Sequence, residues 1–436
     1  MIMDAAYQTP RMNEDFLHYI WQHGLFDKQG LRTHDGLSVE ILSPGLYNLD
    51  QGPDFIDARL RIDGRLWAGN VEIHRKSSDW FAHHHEQDPR YDSVILHVVY
   101  EYDMPVYNTH DVYIPVLELQ GRIPGQLLNN WNFLRTNKHP LACAGRLASI
   151  DKIVQTQWLE RLYVERLERR TESFRQMLKR SVQDWEGVLY AVLLRYFGMP
   201  GNSDVFEQLA SALPYDIFKK YTGNLLQLEA LLLGTAGLLD EAPADDYTKQ
   251  LQTEFDFLRQ KHRLRPLAVK PRFGRMRPAN FPSIRLAQFA MLYHRHPQLF
   301  DLLIHKTDPA LWAGTLRTGT SDYWKTHYRP GKTSKQRSKI TGRSFVEKLI
   351  VNVLIPVQFA WQTAYGTPDT EPLLELARRL PSENNRITRL FAGQGLPNTN
   401  ALHSQALMQL KTAYCDAKRC TLCAFGNQIL RSGENT

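Results

Sequence analysis

Apolar positions along the chain follow two rhythms. Up to about residue 145 they fall in short alternating or continuously β-branched runs, which predict strands; from about residue 150 they recur every three to four positions, which predicts helices. One helix precedes the strands. Residues 13–24, NEDFLHYIWQHG, carry Phe16, Leu17, Ile20 and Trp21 as a stripe, with Asn13 placed to cap it and Gly24 to end it. SVEIL at 38–42 predicts a short strand before an SPG turn. Two longer runs within 52–76 meet at Asp63-Gly64, a dipeptide that favours a tight reversal. After them Ser78 is placed to cap a short helix through Asp79-Trp80-Phe81 and the histidines that follow. VILHVVY at 94–100 suits a strand covered on both faces, and VYIPVLEL at 112–119 an edge strand because of Pro115.

Beyond residue 150, segments 184–198, 204–220, 224–239, 247–263, 282–296 and 343–364 are apolar-striped and punctuated by Gly and Pro. No fixed-period repeat or low-complexity tract is present. The pattern predicts an α/β (α+β) domain with a small mixed sheet over 1–145, a large all-α domain over 146–400, and a cysteine-bearing helical tail over 401–436. The tail is expected to pack back on the domain junction.

The hairpin carries the chemistry. Side chains alternate faces along a strand, so Glu72 and His74 point the same way. Asp54, at the outer end of the first run, joins them only in some registers. A two-residue loop at Asp63-Gly64 sets Asp54 opposite Ile73, on the wrong face. A three-residue loop over 63–65 sets it opposite His74 and pairs Ile62 with Leu66 and Leu60 with Ala68; this is the preferred reading. A bulge at Gly69-Asn70 is another route to the same result. Two carboxylates and an imidazole then converge where the hairpin opens, a set suited to a hard divalent cation.

Pro53-Asp54, followed eighteen residues after Asp54 by Glu72-Ile73-His74, resembles the PD-(D/E)xK phosphodiesterase signature, with His74 where the lysine stands. The resemblance implies a restriction-endonuclease-like core, whose order of helix, strand and hairpin this chain follows. It implies Asp54 and Glu72 as ligands of Mg²⁺ or Mn²⁺ and His74 in the lysine's place beside the attacking water. The Ile73 carbonyl completes the site. The activity implied is metal-dependent phosphodiester cleavage of DNA or RNA. The alternative is a catalytically inactive nucleic-acid-binding or scaffold protein that kept the core and lost the lysine. Glu14 and Glu40 are further acids within reach, with a solvated role as the plainer reading. Three consecutive helical histidines, 83 to 85, splay too widely to share one ion, so only His84 or His85 is expected to face the centre. His97 is either a core histidine or a further lining residue.

Phrases spread over nearly the whole chain, among them GPDF, GNVEIH, DWFAHHH, VILHVVYEYD, RPANFPSIRLAQFA and YCDAKRCTLC, are also similar to an uncharacterised bacterial family known only as a domain of unknown function.

Composition adds little by itself. Hydrophobic content of 43 % and charged content of 23 % are ordinary for a globular protein. No apolar run approaches the roughly twenty residues that span a bilayer. MIMDAAYQTPRMNED lacks the form of a signal peptide, so a cytoplasmic location and no membrane partner are expected. The net charge of +7 is compatible with a polyanion. Its densest stretch is KTHYRPGKTSKQRSKITGR at 325–343, where Lys332, Lys335, Arg337, Lys339 and Arg343 suit either a loop tracking a phosphate backbone or a solvated linker. Gly331-Lys332-Thr333 is no P-loop, because Thr326 stands where its first glycine is needed.

Four cysteines are too few and too clustered for a disulfide framework. Cys415, Cys420 and Cys423 have the spacing C-x₄-C-x₂-C, and Cys143 is the one other thiol. Three thiols plus one suit a four-coordinate Zn²⁺ or an Fe–S cluster; buried free thiols packing as small hydrophobes are the competing account.

Overall fold

The Asp63-Gly64 reversal closes as a two-residue turn with both residues at positive φ, 47° and 78°. That geometry matches the right-handed twist of the two strands it joins, and the Asp-Gly pair is among the few that adopt it readily. These strands are β3 (Phe55–Ile62) and β4 (Arg65–Lys76). Ile62 pairs with Arg65, Leu60 with Trp67 and Ala58 with Gly69. The three-residue loop expected from the apolar pairing is therefore corrected. Its premise fails because Leu66 and Ala68, which it set opposite Ile62 and Leu60, are both exposed while Ile62 and Leu60 are buried.

Asp54 reaches the Glu72 face by a bulge on β3 instead of one at Gly69-Asn70. Between Ala58 and Phe55 the register slips by one, so that Phe55 pairs with Val71. The extra residue is taken up at Ile56-Asp57, with Asp57 at φ 57° and its N–H donated to the Asn70 side chain at 3.3 Å. Such a bulge reverses which side chains face which side of the sheet beyond it.

The structure, a computed structural model, describes residues 12–180, 184–242, 245–305 and 307–433; the segment 1–11, on which the expectation of no signal peptide rests, lies outside them. The chain divides into two compact units. The first takes residues up to Trp158 together with Gln394–Leu396 and the chain from Leu410 onward. Its sheet runs β1 (Val39–Ser43), β3, β4, β5 (Val94–Glu101) and β8 (Val116–Glu118), with β2 (Leu46–Tyr47) alongside β3. The first pairings are antiparallel, whereas β4–β5 and β5–β8 are parallel. Pro115 splits the last predicted strand. Tyr113–Ile114 (β7) pairs with Val106–Tyr107 (β6), and β8 takes the sheet edge.

Helix α1 (Glu14–His23) packs on β4 with Phe16, Leu17, Ile20 and Trp21 buried. Gly24 at φ 60° closes it. Asn13 does not cap it through its side chain; Glu14 and Asp15 in the first turn complement the helix dipole instead. Ser78 likewise spends its hydroxyl on Asp103 rather than on capping α2 (Asp79–Ala82). Ser77 and the Ser78 N–H reach the same carboxylate, which pins the start of the crossover from β4 to β5.

The second unit takes Leu159–Gly393 and Pro397–Gln409 and is helical throughout its core. Tyr190, Phe218, Phe289 and Tyr293 pack in tilted and edge-to-face pairs within it. Buried Glu229 accepts from the Trp324 indole at 2.7 Å and the Tyr247 hydroxyl at 2.8 Å. Among the described residues one helical stretch, Arg343–Tyr365, is long and apolar enough to cross a membrane, which the count of apolar runs in the sequence passed over. Most of that stretch is buried within the unit.

Gly45 supports the bulge. At φ 95°, its Cβ position lies 2.8 Å from the Ile56 carbonyl and 3.2 Å from Phe55 Cβ. Gly64 is also at positive φ but faces open space. Gly45→Ala is expected to lower stability by about 2–4 kcal/mol, against about 1 kcal/mol for Gly64→Ala. Urea denaturation of the two variants checks this, and equal losses would contradict the close packing assigned to Gly45.

Candidate active site

Past the bulge, Asp54 and Glu72 hold one another's ends. The Asp54 N–H donates to Glu72 Oε2 at 3.0 Å, and the Ile73 N–H donates to Asp54 Oδ2 at 3.0 Å. Two residues on, His74 places Nδ1 2.8 Å from His97 Nε2 on the neighbouring strand β5. Its Nε2 lies 3.0 Å from His83 Nδ1 and 3.5 Å from Glu72 Oε1. His85 Nε2 comes to 3.2 Å from the same Glu72 oxygen. One ring nitrogen from each of His74, His83 and His85 lies within 4.8 Å of the others.

The crossover after β4 makes this possible. Helix α2 ends at Ala82, and His84 turns to φ 61°, so residues 83–85 are not three successive helical positions. The left-handed residue between them lets His83 and His85 return to the same point, while His84 itself is exposed. The expectation that consecutive histidines must splay is corrected on that ground. His85 is fixed by stacking on Tyr91 at 3.7 Å between ring centres, and Trp80 lies edge-on to both His85 and the crossover's far side.

Helix α1 brings a residue that no sequence signal singled out. His18 Nε2 lies 3.1 Å from Asp54 Oδ2, and its Nδ1 lies 3.3 Å from the Tyr47 hydroxyl. It lies at the flank of the apolar stripe of α1, where a histidine reads as one more helix residue. Glu14, one turn earlier, is half-buried and feels the charges of His83, His18 and Asp54. Glu40 is turned away, paired with Arg61 at 2.6 Å on an exposed strand.

Burial sets the charge states. It pushes the Glu72 carboxyl well above the ordinary glutamate range, and the neighbouring Asp54 charge adds to this. Burial and the other imidazoles hold His74 well below the usual histidine value. Burial, with the His85 charge adding to it, takes His97 down to about 3, and burial also lowers His85. His18 is the exception. Burial lowers it, but the hydrogen bond and charge of Asp54 outweigh that and leave it raised. The result is an acid that favours its proton beside imidazoles that burial lowers, with one histidine, at the Asp54 side, raised instead.

The four cysteines belong to the same unit as this site. Cys415 ends the irregular helical turn Leu410–Cys415, Cys420 begins the turn Cys420–Leu422, and Cys423 precedes the helix Ala424–Arg431. Cys143 feels the charges of Cys420 and Cys423, and Cys415 those of all three others. Burial pushes the Cys143 thiol up to about 12 and Cys423 to about 11; the Phe425, Gly426 and Trp158 N–H groups restrain the latter.

In the helical unit, Lys332, Lys335, Arg337 and Arg343 are exposed, Arg343 beside Glu347 at 2.9 Å. Lys339 is buried instead, its ammonium 3.3 Å from the Lys325 carbonyl and over the Tyr328 ring. That placement withdraws it from solvent.

A family model described as Protein of unknown function (DUF2851) matches residues 14–386. The chain belongs to this family. The matched DUF2851 region spans α1, the hairpin, the histidine crossover, Cys143 and most of the helical unit, and ends before Cys415, Cys420 and Cys423. No curated protein and no solved structure matches the chain.

The raised Glu72 gives a signed pH dependence. The metal-free fold keeps a proton that the unfolded chain has already lost, so the associated stability is present at low pH and is lost as pH rises through the raised value. Between about pH 6.5 and about pH 9, above the range where the buried histidines contribute, metal-free protein is expected to lose thermal stability. Glu72→Gln is expected to remove most of that slope in thermal melts; an unchanged slope would contradict the assignment.

Proposed function

We propose that the chain is a metal-dependent phosphodiesterase acting on DNA or RNA, with its centre at the open end of the β3–β4 hairpin. The observation that carries this reading is the β3 bulge, which brings Asp54 to the face that presents Glu72 and His74. Three imidazoles in mutual reach, two of them also within 3.5 Å of a Glu72 oxygen, are a donor set that divalent transition metals favour; Mg²⁺ prefers oxygen alone. Of the two ions expected, Mn²⁺ fits better. Glu72, His74, His83 and His85 would hold it, with Asp54 beside them. When bound, the ion would supply positive charge at the scissile phosphate and acidify a bound water.

The chain's own groups then have distinct tasks. His97 meets His74 Nδ1, which fixes the ring and leaves Nε2 directed at the centre. His74, held neutral, does not reproduce the charge of the lysine it replaces. His18 is placed to do so from another element, because the hydrogen bond and charge of Asp54 favour its protonated form. The PD-(D/E)xK resemblance supports the same roles for Asp54 and Glu72. Exposed Lys332, Lys335, Arg337 and Arg343 supply cations for a nucleic-acid backbone.

A second reading rests on burial. Glu72, His74 and His85 are only 4 %, 2 % and 7 % exposed, which also suits an ion that locks the hairpin in a non-catalytic nucleic-acid-binding protein.

Incubating the purified chain with single- and double-stranded DNA and RNA, with Mn²⁺ or Mg²⁺, separates the two. Cleavage is expected with Mn²⁺, reduced at least ~100-fold by Asp54→Ala combined with Glu72→Ala. Cleavage that survives the double substitution removes the proposed centre, and binding without any cleavage favours the second reading. His97→Gln is expected to weaken Mn²⁺ binding by about 10–100-fold in calorimetry; unaltered affinity would remove its positioning role.

A further inference from the structure

The C-terminal segment from Leu410 belongs to the same compact unit as the strand domain, although more than two hundred residues of helical unit separate them in sequence. Ordinary side-chain contacts make the return. Asn130 on the helix Gly125–Thr136 donates to the Leu430 and Ser432 carbonyls, both at 3.0 Å, and receives Arg146 Nη1 at 2.6 Å. Gln428 accepts the Asp151 N–H at 3.3 Å, and Arg431 reaches the Tyr19 hydroxyl at 3.2 Å. Cys143 and Cys423 lie between these ties. The loop that carries Cys143 is bracketed by Asn130, Arg146 and Asp151, and the helix that they contact is the one Cys423 precedes.

The local backbone on the tail side is built tightly. A Cβ on Gly426 would fall 2.1 Å from the Cys420 carbonyl oxygen, so the Cys420–Leu422 turn rests directly on the first turn of the final helix. Cys423 immediately precedes that helix, whose first-turn N–H groups have no partner within the helix. All four cysteines belong to this one unit, none is in a disulfide, and none is exposed. Four thiols packed as inert hydrophobes need not share a unit across so long a gap in sequence.

We propose that Cys143, Cys415, Cys420 and Cys423 are the four thiolate ligands of a thiophilic metal centre, a single Zn²⁺ or an iron–sulfur cluster, that fastens the C-terminal segment to the strand domain. The centre is separate from the carboxylate–imidazole site, and neither proposal depends on the other. Closing a loop of about 270 residues between Cys143 and Cys415 removes much of the freedom the unfolded chain would otherwise keep.

The test uses the full chain purified without oxygen or added metal. Metal and acid-labile sulfide are measured, followed by X-ray absorption at the zinc and iron edges. One expected result is about one zinc with sulfur neighbours at about 2.3 Å; the other is iron with equal sulfide and a brown colour. Either supports the proposal and identifies the centre. Protein without metal, or with metal surrounded by nitrogen and oxygen only, overturns it. Cys420→Ser should lose the metal–sulfur signal, whereas Glu72→Ala should keep it; retention of the full sulfur shell in Cys420→Ser also overturns the proposal. The wild-type spectrum decides the matter even where Cys420→Ser fails to fold.

Discussion

One extra residue in a strand decides what the hairpin presents. With the two-residue turn that Asp63-Gly64 forms, an unbroken ladder sets Asp54 against Ile73 and sends its carboxylate to the far face. The bulge at Ile56-Asp57 reverses that and allows the paired hydrogen bonds between Asp54, Glu72 and the Ile73 N–H. Asn70 satisfies the amide that the bulge frees, and Gly45 leaves room for the displaced carbonyl. Helix α1 then contributes His18 and Glu14, and the crossover contributes His83 and His85. Each arrives on a different element, but all are aimed at the position the bulge created.

Electrostatics follow from burial rather than from the number of charges. A carboxyl group among neutral imidazoles keeps its proton because ionising it there means giving up water without gaining a cation. A divalent ion reverses that balance, since it stabilises the carboxylate and uses the ring lone pairs at once. The same logic separates the two histidines nearest the acids. Burial among other rings lowers His74, whereas the hydrogen bond and charge of Asp54 leave His18 raised.

The sequence was most legible where a single period controls the structure. The helix at 14–23, the strands at 39–43 and 94–101, the edge position of the strand after Pro115 and the change to helices near residue 150 all follow from local pattern. Glu72 and His74 were legible because they lie two apart on one strand. The register was not, since the apolar pairing that favoured a longer loop involves Leu66 and Ala68, both of which are exposed. His83 was discounted because a helical rise was assumed where His84 instead takes a left-handed turn. His18 carried no signal at all, because only the packing of α1 on β4 gives it a partner. Lys339 read as one cation among several, and only the surrounding fold buries it.

The account rests on an ion shared by Glu72 and the imidazoles of His74, His83 and His85. Anomalous diffraction from crystals of the chain grown with Mn²⁺ measures this directly. The account predicts a manganese peak within bonding distance of Glu72 and at least two of the three imidazoles, with Asp54 turned to the same side of the sheet. A peak elsewhere, no peak at all, or Asp54 and Glu72 on opposite faces would contradict it.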